Sequence, residues 1–360
     1  MGSSRSTYHQ ARPLSEREQM ILRLIVRSFI DTAGPVGSRT LSKRYPLGLS
    51  PASIRNTMSD LEDLGYLSHP HTSAGRMPTQ FGYRAFVDDL MNTTGLSGAE
   101  KALIKKKLDQ LMGDADELFR ESSRLLGQMS NLLGVVLSPR LSTGMLERLE
   151  VVPLSSSRVM IVLSVRSGLV KTIIFETEVG LRRQDLDRVV MLLNERLAGL
   201  RLDEIRRTYA NRTRDLEDDP TGIVRLILNE SATLFSEPAE GRVSYGGAQQ
   251  LLTQPEFQET EDVRRLIEII EDEGFFLQLF EGQQQAALAA EPGQAIVSIG
   301  SEISDEKVEK YSIITAQYQV GETVGSVGIL GPMRMDYERA IALVESMAVL
   351  LSRPGLDATS

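Results

Sequence analysis

The first ninety residues carry apolar positions in three helical bursts, after which the rhythm changes. Ile21, Leu22, Ile25, Val26, Phe29 and Ile30 follow helical spacing after "SERE", where Ser15 and Glu18 make a capping box. "TAGPVG" ends that helix. Ser38 reads as the N-cap of a short second helix, "RTLSKRY", and "PLGL" turns the chain. Ser50 and Pro51 open a third helix with Ile54, Met58, Leu61 and Leu64 as its apolar stripe, and Gly65 stops it. "YLSHPHTSAGRMPT" then predicts a strand, a polar loop around Ser73, Ala74 and Gly75, and a short return carrying Arg76 and Met77. Helix, short helix, turn, helix and hairpin in this order form a winged helix-turn-helix. "TQFGYRAFVDDLM" predicts a further helix leaving it.

From Ser97 to about Leu133 the pattern stays helical, and a break is expected near Gly113. The segments "ERLEVVPL", "RVMIVLSV" and "LVKTIIFE" are then short apolar strands of an antiparallel meander. Residues 181–235 return to amphipathic helix. "RVSYGGAQQLL" offers a strand and a turn, "TEDVRRLIEIIEDEGFFLQLF" a helix, and "EGQQQAALAAEPGQ" a surface connection. "AIVSIG", "YSIITAQYQV" and "SVGILGP" predict three strands, and "YERAIALVESMAVLLSR" a closing helix. Strands on both sides of a helical middle predict one sheet domain interrupted by an insertion, with two domains in series as the alternative.

Charge changes this picture. The chain has net charge −9, but residues 1–84 hold eleven Lys/Arg and six Asp/Glu, a net of +5, and the remaining 276 residues a net of −14. A basic head on an acidic body points to a head that meets a polyanion. The chain has no cysteine and three histidines, which excludes disulfides and Cys-based metal sites and fits a reducing cytoplasm. No apolar run approaches the roughly 18 residues of a membrane span.

The third helix carries the candidate chemistry. With Ile54, Met58 and Leu61 inward, Ala52, Asn56, Ser59 and Asp63 point outward, flanked by Ser53 and Arg55. Arg suits a guanine edge, Asn an adenine edge, and Ala or Ser permits close approach. Asp60, Glu62 and Asp63 all lie in the later turns, the wrong end for helix-dipole stability but the right end for a helix whose first turns meet phosphate. Ser38, Arg39, Thr40, Lys43 and Arg44 are expected to hold phosphates, Ser50 to cap the reading helix, and Thr72, Ser73 and Arg76 to touch DNA from the hairpin. His69-Pro70-His71 lacks a third ligand for a metal, and "GETVGSVGILGP" lacks the Gly-Lys-Ser/Thr ending of a phosphate loop. No nucleophile–base arrangement points to an enzyme, and no cofactor is expected.

Residues 35–88, "PVGSRTLSKRYPLGLSPASIRNTMSDLEDLGYLSHPHTSAGRMPTQFGYRAFVD", resemble the N-terminal signature of the heat-inducible transcription repressor (HrcA) family. "SYGGAQQLLTQPEF" resembles its middle motif and "GSVGILGPMRMDYERAIALVE" its closing motif. The resemblance implies an α+β multidomain protein: a winged helix-turn-helix (1–90), a GAF-like α/β domain in two segments (91–180 and 291–360) and an inserted α/β dimerisation domain (181–290). It further implies a cytoplasmic bacterial repressor, nucleoid-associated when bound, that acts as a homodimer on double-stranded DNA. The operator implied is the CIRCE inverted repeat of chaperone operons (groE and dnaK type), with the GroEL chaperonin keeping the repressor active. A winged-helix regulator controlled by a small metabolite is the alternative, and an enzyme with a nucleic-acid-binding head a more distant one.

Overall fold

The computed structural model describes residues 12–70, 75–92, 95–111, 114–176, 183–216, 219–236, 242–287, 293–303 and 305–352. The first helix, α1 (Glu16–Thr32), starts on the capping box: the Ser15 N–H and hydroxyl both donate to Glu18, at 2.8 and 2.7 Å. Ala33, in the left-handed region at φ 52°, ends it. The second helix, α2 (Ser38–Arg44), takes Gly37 as its N-cap. Ser38 is therefore not the expected cap; it lies inside the helix and is buried. The third, α3 (Pro51–Asp63), is capped by Ser50, whose hydroxyl accepts from the Ser53 N–H at 3.1 Å.

Strands β1 (Leu67–Ser68) and β2 (Met77–Pro78) pair antiparallel. The chain between α1 and α2 adds a bridge to this hairpin: Val36 and Arg76 exchange two main-chain hydrogen bonds of 2.9 Å. Only glycine fits at 75, because a Cβ there would lie 2.6 Å from the Val36 carbonyl carbon. Next comes α4 (Gln80–Ala85), which continues as a wide π-type turn over Phe86–Leu90.

The expected long helix from Ser97 is two helices, α5 (Gly98–Asp109) and α6 (Ala115–Ser130), the second capped by Asp114. Gly113, where a break was expected, lies outside the described residues. Asn131 at φ 56° stops α6, and a wholly buried strand that the sequence pattern does not predict, β3 (Leu133–Leu137), begins where the helical pattern runs out. Its "LGVVL" is a continuous apolar run, which periodicity does not separate from a buried helix.

The chain then builds β4 (Leu146–Ser155), β5 (Arg158–Val165) and β6 (Val170–Glu176), the predicted antiparallel meander. Helices α7 (Arg183–Leu197), α8 (Leu202–Arg212), α9 (Ile223–Asn229) and α10 (Ser231–Leu234) follow. After β7 (Val243–Gly246) and α11 (Ala248–Leu251), the next expected helix proves to be two, α12 (Thr260–Glu271) and α13 (Glu273–Ala287). The second takes in much of the expected surface connection. Strands β8 (Ile296–Ile299), β9 (Tyr311–Val320) and β10 (Thr323–Pro332) and helix α14 (Tyr337–Leu351) close the chain as predicted.

Two sheets organise these elements. One is five-stranded and antiparallel, in the order β7-β3-β10-β9-β8. Ile329 and Gly134 are cross-strand partners on the face that α6 covers, where a Cβ at Gly134 would meet Leu126 at 2.7 Å. Gly328 and Val135 face the other way, toward Phe280 of α13. Helices α6 and α14 therefore cover one face and α13 the other, and the core of the N-terminal head is continuous with this core.

The second sheet, β4-β5-β6, holds a separate core with residues 183–235. Val159, Ile161, Leu163 and Val165 point into it, while Met160 lies on the opposite face between Val152 and Ile174. The expected boundaries at 180/181 and 290/291 do not follow these cores. The second core runs from Leu141 to Phe235, between β3 and β7, and the meander belongs to it. Residues 242–287 belong to the first.

Candidate nucleic-acid interface

Helix α3 rests on a buried stripe of Ile54, Thr57, Met58 and Leu61. Three of these are the expected inward residues. Thr57 joins them because its hydroxyl donates back to the Ser53 carbonyl at 3.2 Å, which makes it acceptable inside. Ala52, Arg55, Asn56 and Ser59 are exposed on the opposite side. No acid stands in the first turn, where Pro51 has no N–H and Ser50 accepts from the Ser53 and Ile54 N–H groups.

Ser53 is half-buried. Arg17 of α1 donates to its hydroxyl and, at 3.0 Å, to its carbonyl. This places an exposed guanidinium beside the start of α3, at a residue the sequence reading did not single out. The two positions are 36 residues apart, and only the packing of α1 on α3 joins them.

On α2, Arg39, Thr40 and Lys43 are exposed, and among the described residues neither Arg39 nor Lys43 has an ion-pair partner. Arg44 is exposed but already engaged on the head: it pairs with Asp31 at 2.8 Å and lies 5.6 Å from the Tyr45 ring centroid. Ser38, expected at phosphate, is only 7% exposed. Thr72 and Ser73 lie outside the described residues.

Arg76 differs most from expectation. Its guanidinium pairs with Glu62 at 2.6 Å, and the same carboxylate contacts His69. The Arg76 Nε is buried without a hydrogen-bond partner among the described residues. Glu62 is thus the one late acid of α3 tied into the hairpin, whereas Asp60 and Asp63 remain exposed.

Behind this face, the hydrogen bond from Arg12 holds the Glu18 carboxyl at about 2 against the opposing effect of burial. The cap of α1 is therefore an ion pair at neutral pH. Among the described residues no three His, Cys, Asp or Glu side chains converge to hold a metal ion, and no helix is long and apolar enough to cross a membrane.

A family model described as the HrcA protein C terminal domain matches residues 116–341. A heat-inducible transcription repressor HrcA from Chlorobium phaeobacteroides (strain BS1) is 42% identical over 344 residues, covering 94% of this chain and 97% of its own. Its namesake in Chlorobium phaeovibrioides (strain DSM 265 / 1930) is 42% identical over 355 residues, 97% of this chain and 99% of that one. The one in Prosthecochloris aestuarii (strain DSM 271 / SK 413) is 41% identical over 345 residues, covering 94% and 97%. A crystal structure of a hypothetical protein at 2.2 Å shares the fold with TM-score 0.59 at 24% identity, over 94% of this chain and 98% of that one.

Proposed function

This chain belongs to the HrcA family of heat-inducible transcription repressors, and from that premise we propose how it represses: residues 12–90 form a winged helix-turn-helix that lays α3 in the major groove of an inverted-repeat operator. The observation that carries this reading is the two-sided α3. Its core stripe is closed, and its outer face, free of acids from Pro51 to Ser59, presents Ala52, Arg55, Asn56 and Ser59. Arg55 reads a guanine edge, Asn56 an adenine edge, and Ala52 and Ser59 allow close approach. Arg39, Thr40, Lys43 and Arg17 hold phosphates on either side and set the orientation.

The operator is the CIRCE inverted repeat implied by the family motifs, upstream of chaperone operons. A palindrome calls for a two-fold protein. The outer face of the three-stranded sheet supports such a contact: Val170 and Ile174 are 58% and 54% exposed, beside Val152 and Leu154. We assign homodimerisation to residues 141–235, and a GAF-like role to the five-stranded sheet that this segment interrupts. The GroEL chaperonin, in the bacterial cytoplasm, is the partner that keeps the repressor folded and active, so that heat-unfolded clients relieve repression by competing for it. The relatives are named for induction by heat, which favours this reading over control by a metabolite.

The test is a footprint on the promoter of the organism's own chaperonin operon, with and without the chaperonin. Protection of a palindrome that strengthens when chaperonin is added is the expected result. Protection indifferent to sequence would remove the operator reading.

A further inference from the structure

The head meets the five-stranded body through several polar joints, and the one with the most buried arginine is built on Arg334, between β10 and α14. Its side chain is 11% exposed. Nε donates to Glu256 at 2.6 Å, and one terminal nitrogen reaches Glu256 and Gln254 at 3.1 and 2.9 Å. The other donates to the main-chain carbonyl of Ile30 at 2.8 Å. That carbonyl lies in the last turn of α1, where carbonyls lack helical donors and the helix dipole favours a cation. One guanidinium therefore ties the end of a head helix to the body.

Two further joints flank it. Arg27 of α1 pairs with Glu338 of α14 at 2.7 Å, and Glu338 also accepts the Asn92 N–H at 3.1 Å. Arg84 of α4 pairs with Glu302 and donates to the Val297 carbonyl at 2.7 Å. The three segments that carry the family resemblance meet here: Arg84 comes from the first, Gln254 and Glu256 from the second, and Arg334 and Glu338 from the third. None of these residues lies on the outer face of α3.

We propose that Arg334 is a positioning residue for operator recognition, which sets the angle of the head on the body so that the two α3 helices of a dimer match the separation of two half-sites. The proposal rests on the DNA-binding and dimer reading above. In helix-turn-helix dimers the half-sites lie about 34–36 Å apart, one helical turn of DNA, so a small rotation of each head misplaces both helices. A guanidinium suits the task because its planar fork serves three acceptors in fixed directions, which a lysine ammonium does not.

The experiment compares full-length wild type with Arg334→Lys and Arg334→Met on a single half-site, on the native palindrome, and on palindromes with one or two base pairs added to or removed from the spacer. The expected result is half-site binding within twofold of wild type, at least a tenfold loss on the native palindrome, and a flattened spacer preference. Dimerisation, followed by sedimentation, should be unchanged. Palindrome affinity within twofold of wild type with an unchanged spacer preference would overturn the proposal. So would an equal loss on half-site and palindrome, since that signals damage to reading or folding. Should both Arg334 variants fail to fold, Glu256→Gln opens the same joint and carries the same expectations. Wild type that does not distinguish the palindrome from a scrambled duplex defeats the DNA-reading premise itself, a pattern distinct from the other two.

Discussion

The outward face of the head and the joint behind it both rely on arginine, to opposite ends. At the joint, Arg27, Arg84 and Arg334 each have a carboxylate partner, and Arg84 and Arg334 also a backbone carbonyl. On the outward face, Arg39 and Arg55 are exposed, and among the described residues neither is ion-paired. A paired, half-buried arginine fixes geometry, and its charge is already answered. An unpaired, exposed one adds little to folding and remains available to a phosphate or a base. Arg76 sits between these cases: it occupies the hairpin, where a DNA contact was expected, yet is held by Glu62 as the joint arginines are held.

Substitutions can break or sharpen this contrast. The largest expected effect is on the joint side. Arg84→Ala strips Glu302 and the Val297 carbonyl of a charged donor and should lower stability by about 2–3 kcal/mol in denaturant titration, with the salt dependence of DNA binding unchanged. Arg55→Ala or Asn56→Ala should do the reverse. Stability should stay within about 0.5 kcal/mol of wild type, while specific binding weakens by about 1–3 kcal/mol with relaxed preference at one base position, as read by gel shift on operator variants.

Smaller effects follow. The Arg12 hydrogen bond lowers the Glu18 carboxyl from 4.5 to about 2, so its stabilising contribution is complete above about pH 4.5 and fades as pH falls toward 2. Melting temperature against pH should show that loss in wild type and a flatter curve in Glu18→Gln, which at pH 7 should be less stable by about 1–2 kcal/mol. Lys43→Ala should weaken binding to all sequences alike and lower the salt slope by about one, measured by titration at several salt concentrations. Least of all, Tyr83→Phe should leave stability unchanged or raise it by up to about 1 kcal/mol in thermal unfolding. Its hydroxyl is buried at the joint without a partner among the described residues, and phenylalanine keeps the shape without that desolvation.

Local chemistry was legible in the sequence. The Ser15–Glu18 box, the Ser50 cap with Pro51, the inward stripe of α3 and the strands of β8 to β10 all rest on neighbours a few residues apart. What was missed depends on distant partners. Strand β3 gets no assignment from the sequence, because its short apolar run has no distinguishing period until β10 and β7 flank it. The meander and the helices after it look like pieces of two domains until their shared core is seen. At the site, Ala52, Arg55, Asn56 and Ser59 fall where periodicity puts them. The environments of Arg17, Ser38 and Arg76 follow from packing between elements that spacing does not reveal.

The contact between Arg334 and the Ile30 carbonyl spans 304 residues of chain. At a synthesis rate of about 5–20 residues per second, the head emerges roughly 15–60 s before its anchor. Under the positioning role proposed for Arg334, a growing chain carries α3 with no fixed bearing during that interval. The same proposal makes a ribosome-bound or prematurely ended product a poor competitor for the operator, so that occupancy of the promoter would count finished molecules rather than started ones.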